Sequence, residues 1–491
     1  MNASLMSLEI AVVVLALGIL LGDLWTPASR KRVLGYVAAA GLGLILAFSF
    51  LAEQSFVSSG SAQFAFGGMF ISDPLALFFK RFFLVAAIFV VVMSVEFADR
   101  IPVGIAEFYT LTLIALVGMM FAASSNDFVL VFVSLELITV TFYVLNSFQR
   151  SRVSSLEAGI KYLILGALST GFLVFGIALV FGMGTTTNFQ ALRETLLANP
   201  ALGTSPVFVI GVLLVLVGLG FKIAAVPFQI WAPDVYQGAP TPATAFLAIG
   251  SKAAGIVLLL RVLFGILSGG AVAVDWNKLL MVLAALTILY GNLCAIPQRN
   301  LKRLLGYSSI ANAGYLLLGF AAFNKDGASA VLFYLAGYLF AVAAAFTVIC
   351  LVTRQSESDD ITVVAGLNRR SPLLAAALTL AMVSLAGIPP LAGFFGKFLL
   401  LKSVVEQGAV NPAYYWLVGA ALLGVVISLY YYFGVVRAIY WSKDTADLSP
   451  IPVSLPARAA LVVCALGMLY LGSLPEAAVK LTRQAIAALS L

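Results

Sequence analysis

The chain has no histidine, only three cysteines in 491 residues, and charged residues make up just 10 % of it. Haem, zinc and iron–sulfur centres draw on histidine and cysteine. Cys294, Cys350 and Cys464 are scattered through apolar stretches with no C-x-x-C pair. The residues therefore argue against a redox centre on this chain, and the cysteines read as small hydrophobes in helix packing. Soluble domains carry about 25 % charged residues, so a chain that is 62 % hydrophobic reads as a polytopic membrane protein. No soluble domain is expected, because the longest stretches between apolar runs, 53–73, 185–205 and 354–371, fall short of the roughly 50 residues an independent domain needs. Also missing are a nucleophile–base pair, a glycine-rich phosphate loop and a nucleotide-binding pattern. The net charge of +7 sits mostly in loops, where membrane topology explains it better than nucleic acid does.

What is present is a succession of fourteen apolar runs, at about 5–25, 34–52, 74–96, 105–123, 127–148, 156–183, 206–231, 239–267, 275–296, 301–322, 327–353, 373–404, 412–442 and 456–474. Each is long enough to cross about 30 Å of hydrocarbon as a helix. The expected fold is an all-α polytopic membrane protein. The first run does not read as a cleavable signal, since Glu9 precedes it, Arg30, Lys31 and Arg32 follow it, and no A-x-A site appears. Lys and Arg concentrate on one side of the membrane: Arg30, Lys31, Arg32, Arg100, Arg150, Arg152, Arg299, Lys302, Arg303, Arg354, Arg369, Arg370 and Lys443, against chiefly Arg193, Lys325, Lys480 and Arg483 on the other. By the positive-inside rule both termini lie outside. The last stretch, 475–491, reads as a short membrane-surface helix with Val479, Leu481, Ile486 and Leu489 as its apolar positions.

The chain is organised around GFKIAAVPFQIWAPDVYQGAPTPATAFLAIGSKAAG, residues 220–255. Pro227 interrupts an apolar run holding Lys222, a Pro/Gly/Asp crossing follows, and the next run holds Lys252. Proline cannot donate to the carbonyl four residues back, and a carbonyl freed at that depth needs a polar partner or water. A wet pocket beside an ammonium group is expected there. A second break, AGIPPLAGFFGKFLLLK, places Pro389 and Pro390 before Lys397. Paired discontinuous helices are a transporter pattern. The two broken runs are the seventh and the twelfth, five helices apart, so a second copy would lie inverted. The helices before them align faintly, GIKYLILG at 159–166 with VLFYLAG at 331–337. The domain plan is one membrane domain over 1–491, with N-terminal helices in 1–123, repeat one at about 105–267, repeat two at about 275–442, and a C-terminal helix and tail at 456–491.

A charge at bilayer depth costs about 2.5–3.5 kcal/mol on insertion scales and marks function by default. Glu136, central in DFVLVFVSLELITVTFYVL, and Lys222, Lys252 and Lys397 meet that description, with structural ion pairing as the alternative. Lys161 lies one turn inside its run, where function and snorkelling are both open. Lys80, Arg81, Arg261 and Arg437 lie nearer run ends and read as anchors, Lys80 being replaceable with little loss of turnover. A carboxylate near a buried lysine favours its charged form, so Glu136 with Lys222 reads as a candidate switch.

The words WAPDVYQGAPTP, QRNLKRLLGYSSIANAGYLLLG and AGIPPLAGFFGKF make the chain resemble, over essentially its whole length, the antiporter-like membrane subunits of bacterial NADH-quinone oxidoreductase, respiratory complex I. They match the N-type subunits better than their sisters. The resemblance implies fourteen helices in two inverted five-helix repeats with helices seven and twelve broken, and a mid-membrane proton path. On the matching positions that path is Glu136 on helix five, Lys161 on helix six, Lys222 on helix seven, Lys252 on helix eight and Lys397 on helix twelve. It further implies a bacterial inner membrane, other membrane-arm subunits as partners besides the lipid bilayer, no nucleic acid, no cofactor here, and FMN, iron–sulfur clusters and quinone on other subunits. Many relatives have histidine where this chain has Gln229, which puts a relay at that point in doubt, and the long lateral helix of one sister subunit is not expected after Pro475. The alternative reading is a cation/proton antiporter subunit. A non-conducting scaffold is the rival from another class, and it gives no reason to keep buried lysines and a glutamate.

Overall fold

A computed structural model describes residues 2–57, 62–101, 103–267, 276–355, 358–441, 449–487 and 489, without the side chains of 52–57 and 355. Lys443, one of the charges behind the topology expectation, lies outside them. Thirteen helices among the described residues are long and apolar enough to cross a membrane, and a fourteenth span is built of two shorter pieces. In order the spans are Ser7–Asp23, Arg32–Val57, Pro74–Phe97, Ile105–Ala123, Phe128–Asn146, Val153–Gly184, Pro206–Ile223, Thr241–Ile266, Trp276–Ala295, Leu301–Ala321, Lys325–Val352, the pair Pro372–Ala386 and Ala392–Gly408, then Ala413–Trp441 and Leu455–Ser473. They are called spans one to fourteen below.

Several begin where a polar side chain takes up an orphan N–H. Asp73 accepts from Ala76 before span three and Asp127 from Val129 before span five. Asn300, Asn324 and Ser454 do the same for spans ten, eleven and fourteen. These are the residue types that cap helix N-termini best, and Pro stands at the start of spans three and fourteen, where its missing N–H costs nothing.

The core sits around span eight, which is buried on every side, and spans ten and eleven, which are nearly so. A helix apolar all round that is not a lone membrane anchor belongs at the centre of a bundle. Spans nine and ten pack face to face, and Gly291 permits it: a Cβ there would stand 2.4 Å from the Ala311 nitrogen, closer than any real contact. Small residues at such crossings let backbones approach, which is how helices associate where water supplies no drive. Spans one, two, six, thirteen and fourteen lie at the edge and expose large apolar side chains such as Leu44, Phe175, Trp416 and Tyr430, surfaces suited to lipid or neighbouring helices.

Two features depart from the expected all-helical plan. A two-stranded hairpin, Gln63–Ala65 with Phe70–Ser72, is antiparallel in the register Gln63↔Ser72, and it is stitched to the turn between spans four and five by Ile71 N–H to Ser124 O at 2.9 Å and Asn126 N–H to Met69 O at 2.9 Å. The terminal helix Glu476–Ile486 is not a plain membrane-surface tail: it docks on spans three and eleven, burying Thr482, Ala485 and Ile486, with Thr482 and Ser329 hydroxyls 2.9 Å apart. Leu489 is buried as expected, while Leu481 stays exposed.

Candidate functional site

Span seven ends at Ile223, four residues before Pro227, with Ala224 in the left-handed region at φ 58°. The chain resumes as a short helix, Trp231–Gly238, where the sequence suggested an irregular crossing. Protein groups meet several backbone groups of this turn. Gly220 O accepts from Ala225 N–H at 2.9 Å, Phe221 O accepts from the Trp231 indole at 3.0 Å, and the Val226 N–H donates to the Thr287 hydroxyl at 3.1 Å. Gln229 is buried in the same break, beside the Tyr290 hydroxyl.

Lys222 lies in the last turn of this half-helix, where the partial negative charge of the helix C-terminus favours a cation. It is buried, donates to the Thr139 hydroxyl and lies 3.4 Å from the Tyr162 hydroxyl. It makes no direct pair with Glu136. The glutamate is half-buried on span five and accepts from the Thr170 hydroxyl at 2.8 Å. Thr139 follows Glu136 by three residues, so both occupy one face of span five, but the threonine hydroxyl donates to the Leu135 carbonyl, not to the carboxylate. The two groups of the expected Glu136–Lys222 switch are therefore seen apart, the carboxylate on the Thr170 hydroxyl and the ammonium on that of Thr139.

Lys252 follows five residues of π-helix, Leu247–Ser251, a distortion that recurs at functional positions. Its ammonium donates to the Ser309 carbonyl at 2.6 Å and to the Ser309 hydroxyl, and lies 5.4 Å from the centre of the Tyr338 ring. The same hydroxyl is 3.0 Å from those of Tyr236 and Tyr338.

At the second break the first half-helix ends at Ala386 with Gly387 left-handed at φ 87°. Lys397, from the second half, reaches back to that C-terminus, donating to Leu385 O at 2.8 Å and Ala386 O at 3.3 Å, with the Tyr315 ring 4.6 Å away. Between Lys252 and Lys397 the buried interior carries Tyr334 bonded to Asn312 at 2.6 Å, Tyr432 to Ser308, and Tyr431 to Asn292 at 2.9 Å. Sequence reasoning missed these neutral partners, although Ser308, Asn312 and Tyr315 recur at helical spacing in one motif.

Lys161 stands apart from that line. Its ammonium is 39 % exposed and held between Glu157 at 2.7 Å and Asp234 at 2.6 Å, and Asp234 also binds Arg303 of span ten. The lysine is a member of a surface ion network.

The anchors need correction. Lys80 is 3 % exposed and pairs at 2.7 Å with Glu9, itself buried in the first turn of span one. Arg261 is buried too, bonding both Asp73 oxygens at 2.8 Å and the Ala123 carbonyl. Burial pushes the Asp73 carboxyl up, and the Arg261 guanidinium together with the Ala76 N–H and Lys80 more than reverses this, holding it below the usual carboxylate range. Position along a run could not reveal that neighbouring helices cover these side chains. Arg437 is exposed and Arg81, half-buried, bonds the Ser49 carbonyl at 2.9 Å. Breaking a buried pair from one side costs about 3–5 kcal/mol, so Lys80→Met is expected to lower the melting temperature and yield of the assembled protein rather than leave it intact. Adding Glu9→Leu should recover most of that loss in the same thermal assay.

The contrast between these two groups defines the site. Lys80 and Arg261 each have a carboxylate partner. Lys222, Lys252 and Lys397 are equally buried, yet among the described residues none makes an ion pair, and each rests on hydroxyl or carbonyl oxygens. Fold and site together describe a membrane transporter of the broken-helix kind, with ionisable groups buried within its spans.

Residues 125–428 match the family described as NADH:quinone oxidoreductase/Mrp antiporter, TM. An NADH-quinone oxidoreductase subunit N from Moorella thermoacetica is 42 % identical, covering 96 % of each chain, and one from Trichlorobacter lovleyi is 40 % identical, covering 99 % of this chain and 97 % of its own. Among solved structures, a chain of respiratory complex I from Thermus thermophilus with bound aureothin is 34 % identical, covers 96 % of this chain and 98 % of its own, and superposes with a TM-score of 0.79. A chain of the Mrp complex from Dietzia is 23 % identical with a TM-score of 0.84, which shows a shared fold. The chain belongs to the NADH:quinone oxidoreductase/Mrp antiporter family.

Proposed function

We propose that the chain is a proton-translocating membrane-arm subunit of an NADH-quinone oxidoreductase in a bacterial inner membrane, the N-type subunit. Flavin, iron–sulfur and quinone chemistry then belongs to other chains of the complex. One observation carries the reading: among the described residues, three lysines buried within the spans have no carboxylate to lock their charge. A buried cation with a structural task is paired, because an unpaired charge in a low-dielectric interior is costly. A lysine on hydroxyls and carbonyls can instead alternate between ammonium and amine, since the amine keeps one acceptor lone pair for a returning proton.

In this reading Glu136 sets the field at Lys222, protons move between Lys222, Lys252 and Lys397 over the interposed hydroxyls, and Lys161 shapes the surface network at the approach to the first break. The regions 105–267 and 275–442 serve as inverted repeats, supported by a broken helix and a half-helix C-terminus at the lysine in each. Both termini lie outside, supported by the loop charges. A reporter fused after Arg303 is expected to sit in the cytoplasm and one after Leu491 outside; the same side for both would break this topology. The antiporter alternative predicts that transport depends on sodium or potassium, whereas the proposed function expects pumping indifferent to both, measured in sealed vesicles with each cation in turn.

A further inference from the structure

Lys302, counted by sequence as a loop charge, opens span ten and is 2 % exposed. Its ammonium is 3.1 Å from Asp359 and donates to the Ala239 carbonyl at 3.0 Å. Asp359, also buried, is held by main chain on both sides: its carbonyl accepts from Leu301 N–H at 2.8 Å, and Ile361 N–H donates to Arg299 O at 2.8 Å. The pair thus stands at the end of span ten carrying the positive loop charges. Two turns further along the same face lies Ser309, about 10 Å away by helical rise. Gly306 lies between them, and the space a side chain would need there is taken by Pro233 and Tyr236. Tyr236 therefore runs alongside span ten between the pair and Ser309, and its hydroxyl meets that of Ser309 at 3.0 Å.

Ser309 has one hydroxyl proton and two lone pairs for three neighbours, Lys252, Tyr236 and Tyr338. While the Lys252 ammonium donates, the serine proton must point to a tyrosine. Once Lys252 is an amine, that proton can turn to its nitrogen. We propose that the Lys302–Asp359 pair is the inner-face proton uptake point for Lys252, delivering along Tyr236 and Ser309. In the step, the Ser309 O–H bond breaks as the Lys252 N–H bond forms, and Ser309 takes the Tyr236 hydroxyl proton. Tyr236 is reprotonated through water by the Lys302 ammonium, which recovers its proton from Asp359 and the inner solution. No electron changes hands. The inference deepens the proposed function and rests on it.

The test uses the whole assembled complex in sealed vesicles, reading NADH turnover and proton pumping. Lys302→Arg keeps a cation against Asp359 but cannot release a proton, and it is expected to slow both about tenfold or more, as losing a proton-transfer group does. Tyr236→Phe keeps the ring packing and should slow turnover with an enlarged solvent deuterium isotope effect. The double Lys302→Met/Asp359→Leu removes the pair without leaving a lone charge; it should stay as slow as the slower single variant. Wild-type pumping by Lys302→Arg, or recovery in the double variant, would overturn uptake at this pair and leave it a structural ion pair. Lys252→Met separates the two levels: if it pumps normally, the proposed function itself fails and this route with it, whereas lost pumping there beside normal pumping in Lys302→Arg sinks the route alone.

Discussion

Lys222→Arg is expected to assemble and yet lose at least about nine-tenths of proton pumping, because arginine is effectively never deprotonated. The side chain at this position is buried between Thr139, Tyr162 and the end of a half-helix, and the helix C-terminus favours a positive charge there in either variant. If a fixed charge were all that span seven required, arginine would serve. Lys222→Ala should fail equally, so the pair of variants separates a field from a carrier. Glu136→Gln keeps a side chain able to accept from Thr170 but removes the charge, and should weaken pumping less than either lysine variant, because the carboxylate rests on Thr170 and makes no ion pair with the ammonium among the described residues. The assay is pumping and quinone reductase activity in membranes holding normal amounts of the complex. Wild-type-like pumping by Lys222→Arg would leave Lys222 an electrostatic role only.

Gly393→Ala is expected to be the other severe substitution, although it adds only one methyl group and removes no charge. A Cβ at Gly393 would stand 1.8 Å from the Ser384 carbonyl oxygen, on the opposite half of the broken span. That oxygen belongs to backbone, so relief requires the two halves of span twelve to separate. Overpacking costs about 1–3 kcal/mol and sometimes more. Here the displacement would also pull Lys397 from Leu385 O and Ala386 O, the contacts that tie its ammonium across the break. Loss of pumping in complex that still assembles, or loss of assembly seen on native gels, is expected; normal activity would mean that the close approach at Gly393 is not needed.

The spans were legible because long apolar runs bounded by Asp, Asn, Ser and Pro leave few alternatives, and Pro227 and the Pro389/Pro390 pair marked both breaks. Lys222, Lys252 and Lys397 could be singled out because a charge deep in an apolar run has one strong explanation. Partnership was not legible. Lys80 and Arg261 sit near run ends like snorkelling residues, and only the packing of spans one, three, four and eight brings Glu9 and Asp73 against them. Whether Glu136 meets Lys222 depends on the rotation of two helices, which periodicity cannot fix when both are apolar nearly all round. The hydroxyl and amide partners were harder still, since a serine or tyrosine in a span is inexpensive enough to need no explanation until its neighbours are known.

The most direct test of the central claim, that the lysines without carboxylate partners carry protons, is the proton-to-electron ratio of the intact complex in sealed vesicles with Lys397→Met. The substitution keeps an unbranched side chain of similar length in the pocket beside Tyr315 while removing the titratable group. The account predicts that the ratio falls, or that turnover stops with it. An unchanged ratio at undiminished turnover would contradict it.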